Sequence, residues 1–111
     1  MNFEIEISEA FRKAAKSLAK KHPSFKKDLT EFLEILAEKP TSGTPLGGGL
    51  YKVRMSISSK GKGKSGGARV IICVIFKHGK ILLADIYDKS DFDTVDEKRI
   101  IKNLRSEGFD I

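Results

Sequence analysis

Seven consecutive apolar residues near the middle of the chain constrain its fold more than any other segment. They are Val70-Ile71-Ile72-Cys73-Val74-Ile75-Phe76. Successive side chains of a strand point to opposite faces of its sheet, so a strand that is apolar at every position is buried on both faces. We therefore predict that Ala68–Lys77 forms a strand at the centre of a β-sheet.

Hydrophobic periodicity predicts the elements on either side of this strand. Phe3, Ile5 and Ile7 alternate with glutamates, which is the pattern of a half-buried strand. The full set of predicted elements is a strand at 3–7, helices after Ser8 and after Ser24, strands over Leu50–Ser58, Ala68–Lys77 and Lys80–Asp88, and a last helix that starts at the capping box Thr94-Val95-Asp96-Glu97. The Gly/Pro-rich segment Thr41–Gly49 is predicted to be an irregular crossing loop.

These elements predict one α+β domain over residues 1–111, with the order β-α-α-β-β-β-α. The last three strands are joined too closely for parallel crossovers, so we predict an antiparallel sheet. The two consecutive helices form a hairpin, which should cover the sheet face that carries Val53 and Met55, and a short helix ends the chain. Lys52, Arg54 and Arg69 should then lie on the opposite face, and we expect Arg69 to be exposed there.

Positive charge is concentrated in the middle of the chain. The whole chain has 21 Lys and Arg against 15 Asp and Glu, a net charge of +6. Residues 39–84 contain nine of the basic residues and no acidic one, so the remaining positions are net negative. Such a block attracts polyanions, which makes nucleic acid the predicted partner, although a solvated basic face is a simpler alternative. Lys60, Lys62 and Lys64, in the glycine-rich loop Ser59–Gly67, are the predicted RNA-binding residues.

The same loop contains Gly63-Lys64-Ser65, which is similar to the end of a phosphate-binding P-loop. That motif also needs a glycine five residues earlier, where this chain has Ser58, and it must open a helix. Here it precedes a strand. Nucleotide binding of the P-loop type is therefore not predicted.

Metal and thiol chemistry are not predicted either. His22 and His78 are the only histidines, and neither has a zinc-ligand spacing to the other or to Cys73. The aspartates between Asp85 and Asp96 lack the glycine and the final glutamate of a calcium loop. We expect Cys73, inside the apolar strand, to be a buried and inert thiol. No metal and no cofactor are expected.

The chain lacks the long apolar window of a membrane helix and the pattern of a secretory signal. We therefore expect a cytoplasmic protein with no membrane partner.

RNA cleavage by the substrate's own 2′-hydroxyl is the reaction that best fits the remaining residue types. The nucleophile belongs to the RNA, so the protein must only align the phosphate, stabilise the added negative charge and move two protons. Arginine grips phosphate oxygens in pairs, and a lysine among other cations can transfer protons. Lys52, Arg54 and Arg69 supply these types, unless they only bind the RNA backbone.

Three segments resemble the RelE/ParE superfamily of bacterial type II toxin–antitoxin toxins, most closely its RelE/HigB-like branch. The segments are Gly49–Arg54, Ser58–Ile71 and Ile86–Ser90. The resemblance extends over essentially the whole chain. Its most specific part is the basic glycine-rich loop that leads into Arg69.

The resemblance implies a ribosome-dependent, metal-independent mRNA endonuclease that inhibits translation. It implies a cognate antitoxin as partner, and operator DNA as a target of the toxin–antitoxin complex. Lys52 and Arg54 match basic positions that serve cleavage, and Arg69 matches an arginine that stabilises the transition state. Asp88 and Lys89 match the stretch in which family members place acid/base or substrate-contacting groups.

Two alternatives to the nuclease remain open at the level of sequence, a gyrase inhibitor and an inactive nucleic-acid-binding module. Family members that cut mRNA often carry a tyrosine or histidine near the chain end, and this chain has neither after Tyr87. The ParE branch uses the same fold to inhibit DNA gyrase without nuclease chemistry, so the fold does not decide between these functions. A catalytically inactive nucleic-acid-binding module is the third hypothesis.

Overall fold

The computed structural model of the chain describes residues 2–61, 66–91 and 94–111. Its elements are β1 (Glu4–Ile7), α1 (Glu9–Lys21), α2 (Phe25–Glu38), β2 (Thr44–Gly47), β3 (Leu50–Met55), β4 (Ala68–Ile75), β5 (Lys80–Asp88) and α3 (Glu97–Ser106). Short 3-10 turns lie at Ser58–Lys60 and Phe76–His78. Within the described residues, no helix is long and apolar enough to cross a membrane.

One five-stranded sheet has the strand order β1-β5-β4-β3-β2. The strand that is apolar on both faces, β4, lies at its centre, as the sequence predicts. Strands β3, β4 and β5 pair antiparallel, which is also confirmed. Strand β1 pairs parallel with β5, so the sheet is mixed. Antiparallel pairing was predicted from short connections between strands, and no short connection joins β1 to β5. The direction of β1 could therefore not be predicted in that way.

Strand β2 was not predicted, because Thr44–Gly47 lies in the segment expected to be an irregular loop. It pairs antiparallel with β3, and the register shifts between Pro45 and Gly47. Proline lacks a backbone N–H and is tolerated in edge strands, which is the position of β2. The four residues TPLG show no alternation that would reveal a strand.

The helical hairpin of α1 and α2 covers the sheet face that carries Val53 and Met55, which we call the hairpin face. Ser8 starts α1, since its hydroxyl accepts a hydrogen bond from the Phe11 N–H at 3.1 Å. Phe11 and Phe25 are each 1% exposed and belong to this core. Burial of each ring stabilises the fold by about 1.5–3 kcal/mol. The predicted covering of this face is confirmed.

The opposite face, which we call the open face, is covered only in part. Leu104 of α3 packs in a second core with Leu50, Cys73 and Leu82. Asp96 caps α3 by accepting a hydrogen bond from the Arg99 N–H at 3.2 Å, so the cap is the third residue of the predicted capping box rather than Thr94. The rest of the open face carries the candidate site.

Candidate nucleic-acid interface

Three polar side chains form a row across the open face. Arg54 of β3 lies opposite Arg69 of β4, and Arg69 lies opposite Tyr87 of β5. Adjacent strands are about 4.8 Å apart, so the row is about 10 Å wide. In the next row, Lys52 lies opposite Ile71, which lies opposite Asp85. The structure thus brings together Lys52, Arg54 and Arg69, and their predicted part in cleavage stays a prediction.

A register shift in β5 determines which of its last residues join this row. The pairing of β4 with β5 shifts between Ile71 and Ile72, where Ala84 is the extra residue. Strict alternation from Leu83 would place Tyr87 on the hairpin face and Asp88 on the open face. The bulge reverses that order, so that Tyr87 stands beside Arg69. Bulges commonly redirect side chains next to functional sites.

Gly67 controls the entry of the chain into β4. A Cβ atom built on this residue would collide with the carbonyl oxygen of Met55. The Gly67 carbonyl also accepts a hydrogen bond from the Lys89 N–H at 3.1 Å. The glycine therefore allows the close approach of β3 and β4 from which the pairing of Arg54 with Arg69 starts.

Arg69 is buried, which differs from the exposed side chain expected from sequence. It is 3% exposed, and its Nη1 donates a hydrogen bond to the Ala68 carbonyl at 3.3 Å. The expectation failed because it considered only the position at the start of β4, whereas strands β3 and β5 flank that start on both sides. Arg54 is exposed. The row therefore combines a buried guanidinium with an accessible one.

Asp88 lies outside this row and joins three parts of the chain on the hairpin face. Its Oδ1 accepts hydrogen bonds from Lys60 Nζ at 2.6 Å and from the backbone and side chain of Ser90 at 2.9 and 2.8 Å. Its Oδ2 lies 3.2 Å from Nε2 of His22, the residue that ends α1. Asp88 thus ties the end of β5 to the helical joint and to the 3-10 turn.

The contacts of Asp88 favour a structural role over proton transfer. Burial alone would raise its pKa, but the hydrogen bonds from Lys60 and Ser90 outweigh burial and lower the pKa well below its usual range. The carboxylate is consequently ionised near neutral pH and cannot donate a proton. Its predicted catalytic role is untested, and these contacts do not support it.

Lys60 differs from the free loop lysine that the sequence predicts. It ends the 3-10 turn, its side chain is 13% exposed, and its ammonium is held by Asp88. A phosphate contact would therefore require this ion pair to break. Lys62 and Lys64 lie outside the described residues. Lys89, the other candidate next to Asp88, is exposed.

Asp28 forms a second anchor that sequence reasoning missed. It is 7% exposed and accepts hydrogen bonds from the Ser24 hydroxyl at 2.7 Å and from the Ser58 N–H and hydroxyl at 2.8 and 2.7 Å. Burial alone would raise its pKa, but the hydrogen bonds from Ser24 and Ser58 outweigh it and lower the pKa. The start of the basic loop is thereby fixed to α2. Ser24 four residues before Asp28 was the only local signal.

A cavity of about 610 Å³, which we call the α3 cavity, lies next to the row, between α3 and the open face. Ile71 and Tyr87 line it from the sheet, and Arg99 and Asn103 line it from the helix. Asp85 also lines it, and burial raises the pKa of this carboxyl.

Metal and thiol groups add little to the site. Among the residues described, no three His, Cys, Asp or Glu side chains are grouped so that they could hold a metal ion. Cys73 is buried as predicted, and burial raises the pKa of its thiol.

Comparison with known proteins relates the chain to RelE structures. No protein-family model and no curated protein sequence matches it. A chain of the RelBE2 toxin–antitoxin complex of Mycobacterium tuberculosis matches with a TM-score of 0.62 and 15% identity, over 79% of this chain and 99% of that chain. A mutant of the E. coli toxin RelE in the free state matches with a TM-score of 0.59 and 15% identity, over 98% and 100%.

A chain of the intact E. coli RelBE toxin–antitoxin complex also matches, with a TM-score of 0.60 and 17% identity, over 78% of this chain and 95% of that chain. Identities this low establish a shared architecture, whereas function depends on the residues of the site. The chain therefore has the RelE fold, as its sequence resemblance predicts.

Proposed function

We propose that this protein is the toxin of a type II toxin–antitoxin module and cuts mRNA on the ribosome without a metal ion. The observation that carries the proposal is the row of Arg54, Arg69 and Tyr87 on the open face of a RelE fold. The two arginines of the row belong to residues 39–84, a segment that has nine basic residues and no acidic one. We assign the protein to the RelE/HigB-like branch, acting in the cytoplasm.

The proposed reaction is a transesterification within the RNA. The 2′-oxygen loses its proton and attacks the adjacent phosphorus, and the bond from phosphorus to the 5′-oxygen breaks. The leaving oxygen takes up a proton, so the products are a 2′,3′-cyclic phosphate and a 5′-hydroxyl end. Two proton transfers and the stabilisation of a doubly charged phosphorane are all that the protein must supply.

The geometry suggests different roles for the basic residues. Arg69 is buried and fixed between two strands, so it suits a group that must be preorganised for the transition state. Arg54 is exposed and can follow the incoming phosphate. Lys52, on the same face, is the candidate for proton transfer, and the exposed Lys89 for a substrate contact. Lys62 and Lys64 are proposed to bind RNA.

The proposed partners follow from the same surface. A cognate antitoxin would cover the open face with an acidic or extended segment, because a basic face steers such a segment as it steers RNA. Antitoxins accompany the toxins in the RelBE complexes that share this fold. Binding of operator DNA by the toxin–antitoxin complex completes the proposal.

Primer extension on mRNA from cells that express the chain tests the proposal. We expect discrete cuts within translated frames for the wild type, and none for Arg54→Gln. Lys77→Gln is a matched control, because Lys77 is an exposed lysine of the same basic segment but lies in the turn between β4 and β5. It should cut normally. Intact mRNA with arrested DNA replication would refute the nuclease and favour a gyrase inhibitor. Binding of RNA with no cutting and no growth arrest would favour the inactive module.

A further inference from the structure

We propose that the α3 cavity is a nucleobase subsite, and that Asp85 makes it prefer bases that carry an exocyclic amino group. This inference rests on the proposed function, since it supplies a base contact for the RNA whose phosphate meets Arg54 and Arg69. The cavity volume of about 610 Å³ is within the range of about 300–1,000 Å³ typical of small-molecule sites.

The position of the cavity suits a base next to a bound phosphate. Tyr87 lines the cavity and is also the register neighbour of Arg69. Asp85 lies two residues from Tyr87 on the same face, about 7 Å along the strand. A phosphate held by the arginines can therefore place an adjoining base between the sheet and α3.

The walls of the cavity match the two chemical surfaces of a base. Val95 and Ile100, both partly exposed, provide apolar surface, and Tyr87, which is 6% exposed, adds the small accessible part of its side chain. Apolar and aromatic side chains of this kind typically line sites for small planar ligands. Asp85 and Asn103 add groups that can form hydrogen bonds with the base edge.

Asp85 retains acceptor capacity that faces the cavity. Its Oδ1 accepts a hydrogen bond from the Ile86 N–H at 2.8 Å, and its Oδ2 has no hydrogen-bond partner in the described part of the chain. No buried side-chain nitrogen or oxygen of the described residues lacks a partner, so Oδ2 must be accessible. Burial raises the pKa of this carboxyl, although the hydrogen bond from the Ile86 N–H and the charge of Arg99 act in the opposite direction.

The charges of the lining residues favour a base over a phosphate as the ligand of the cavity. Among the described residues, the charged ones that line it are Asp85, Asp96 and Arg99, so these residues do not form a cationic site. The Asp96 carboxylate is already used to cap α3. Among the described lining residues, Asp85 is thus the available carboxylate acceptor. Carboxylates accept from the amino group of cytosine, whereas uracil presents a carbonyl oxygen at the same position.

Binding of mononucleotides to the full-length protein tests the subsite without any cleavage. CMP and UMP differ at the exocyclic amino group, and GMP and IMP form a second pair that differs only by the 2-amino group. We expect two-dimensional NMR titrations to show shifts of Asp85, Tyr87 and Asn103, with CMP and GMP bound at least about fivefold more tightly than UMP and IMP. Asp85→Asn should remove the preference for CMP. Asp96→Asn is the matched control and should keep it, since asparagine also caps helices well.

Each outcome decides for or against the subsite. Equal affinity within both pairs, shifts confined to the arginine row, or no binding at millimolar nucleotide would overturn it. So would a preference that survives Asp85→Asn. The comparison of CMP with UMP and of GMP with IMP on the wild-type protein tests the subsite even if Asp85→Asn fails to fold. Discrete mRNA cuts without a mononucleotide preference would reject the subsite alone, and a preference without mRNA cuts would reject the nuclease alone.

Discussion

Replacement of Asp88 by asparagine should destabilise the protein by about 3 kcal/mol. The substitution preserves the side-chain shape but removes the negative charge that faces the Lys60 ammonium at 2.6 Å. The two side chains are only 13% and 10% exposed, so the pair belongs with buried ion pairs. Removal of one partner of such a pair typically costs about 3–5 kcal/mol. The Ser90 hydrogen bonds, which an amide oxygen can still accept, place the estimate at about the low end of that range.

Urea unfolding measures this loss directly. With a slope of about 1–3 kcal/mol per molar urea for a domain of this size, the midpoint should fall by about 1–3 M. Lys60→Met should cost less, because Asp88 keeps its contacts with Ser90 and His22. The double variant should be more stable than the sum of the two losses predicts, since neither charge is then left alone. A loss below about 1 kcal/mol for Asp88→Asn would show that the pair behaves as an exposed one and would refute the argument.

The pH dependence gives an independent check on the same residue. The pKa of Asp88 in the folded protein lies below its ordinary value of 3.8, so the unfolded chain binds the proton more readily. The stabilisation is therefore fully present above pH 3.8 and is lost as the pH falls through the folded-state pKa. The difference between wild type and Asp88→Asn should shrink on acidification in that window. A difference that stays constant through that window would assign the loss to packing.

Three further predictions concern the two faces of the sheet. Arg69→Lys keeps the charge but loses the planar fork, so mRNA cleavage measured by primer extension should fall by about 100-fold or more in a folded protein, and wild-type cleavage would remove Arg69 from the site. Asp28→Asn should lower the free energy of unfolding by about 1–3 kcal/mol in urea, with the loss fading below pH 3.8 because its pKa is lowered, and an unchanged midpoint would contradict an anchoring role. Charge reversal at both Lys52 and Arg54 should weaken antitoxin binding in a calorimetric assay, whereas unchanged affinity would rule out direct masking of the open face.

Much of the fold was predictable from local pattern, because hydrophobic periodicity acts over a few residues. The buried strand β4, the Ser8 cap and the faces of Val53 and Arg54 all follow from that pattern. Two features of the sheet did not follow, because they depend on partners distant in sequence. Strand β2 is defined by its pairing with β3, and the direction of β1 is set by its pairing with β5.

The candidate site was predictable in residue type but less so in placement. Lys52, Arg54 and Arg69 were expected on one face, and the register places Arg54 beside Arg69. The bulge at Ala84 could not be foreseen, since it arises from pairing with β4 and not from the sequence of β5. That single extra residue moves Asp88 to the hairpin face. For this reason Asp88, which was expected near the arginines, instead connects the end of β5 to the helical hairpin and the 3-10 turn.

The two faces of the sheet have different roles, so substitutions on one face should affect binding and substitutions on the other should affect stability. Asp28 and Asp88 hold the 3-10 turn from the hairpin face, and their contacts do not involve the basic residues of the open face. On the open face Arg54 is exposed, whereas Arg69 and Tyr87 are buried and Leu50, Cys73 and Leu82 form a core with α3. Substitutions at the exposed Arg54 should accordingly change RNA or antitoxin binding with little loss of stability, within about 0.5 kcal/mol. Substitutions at the two aspartates should do the opposite and lower stability with little effect on binding, because their contacts lie on the hairpin face.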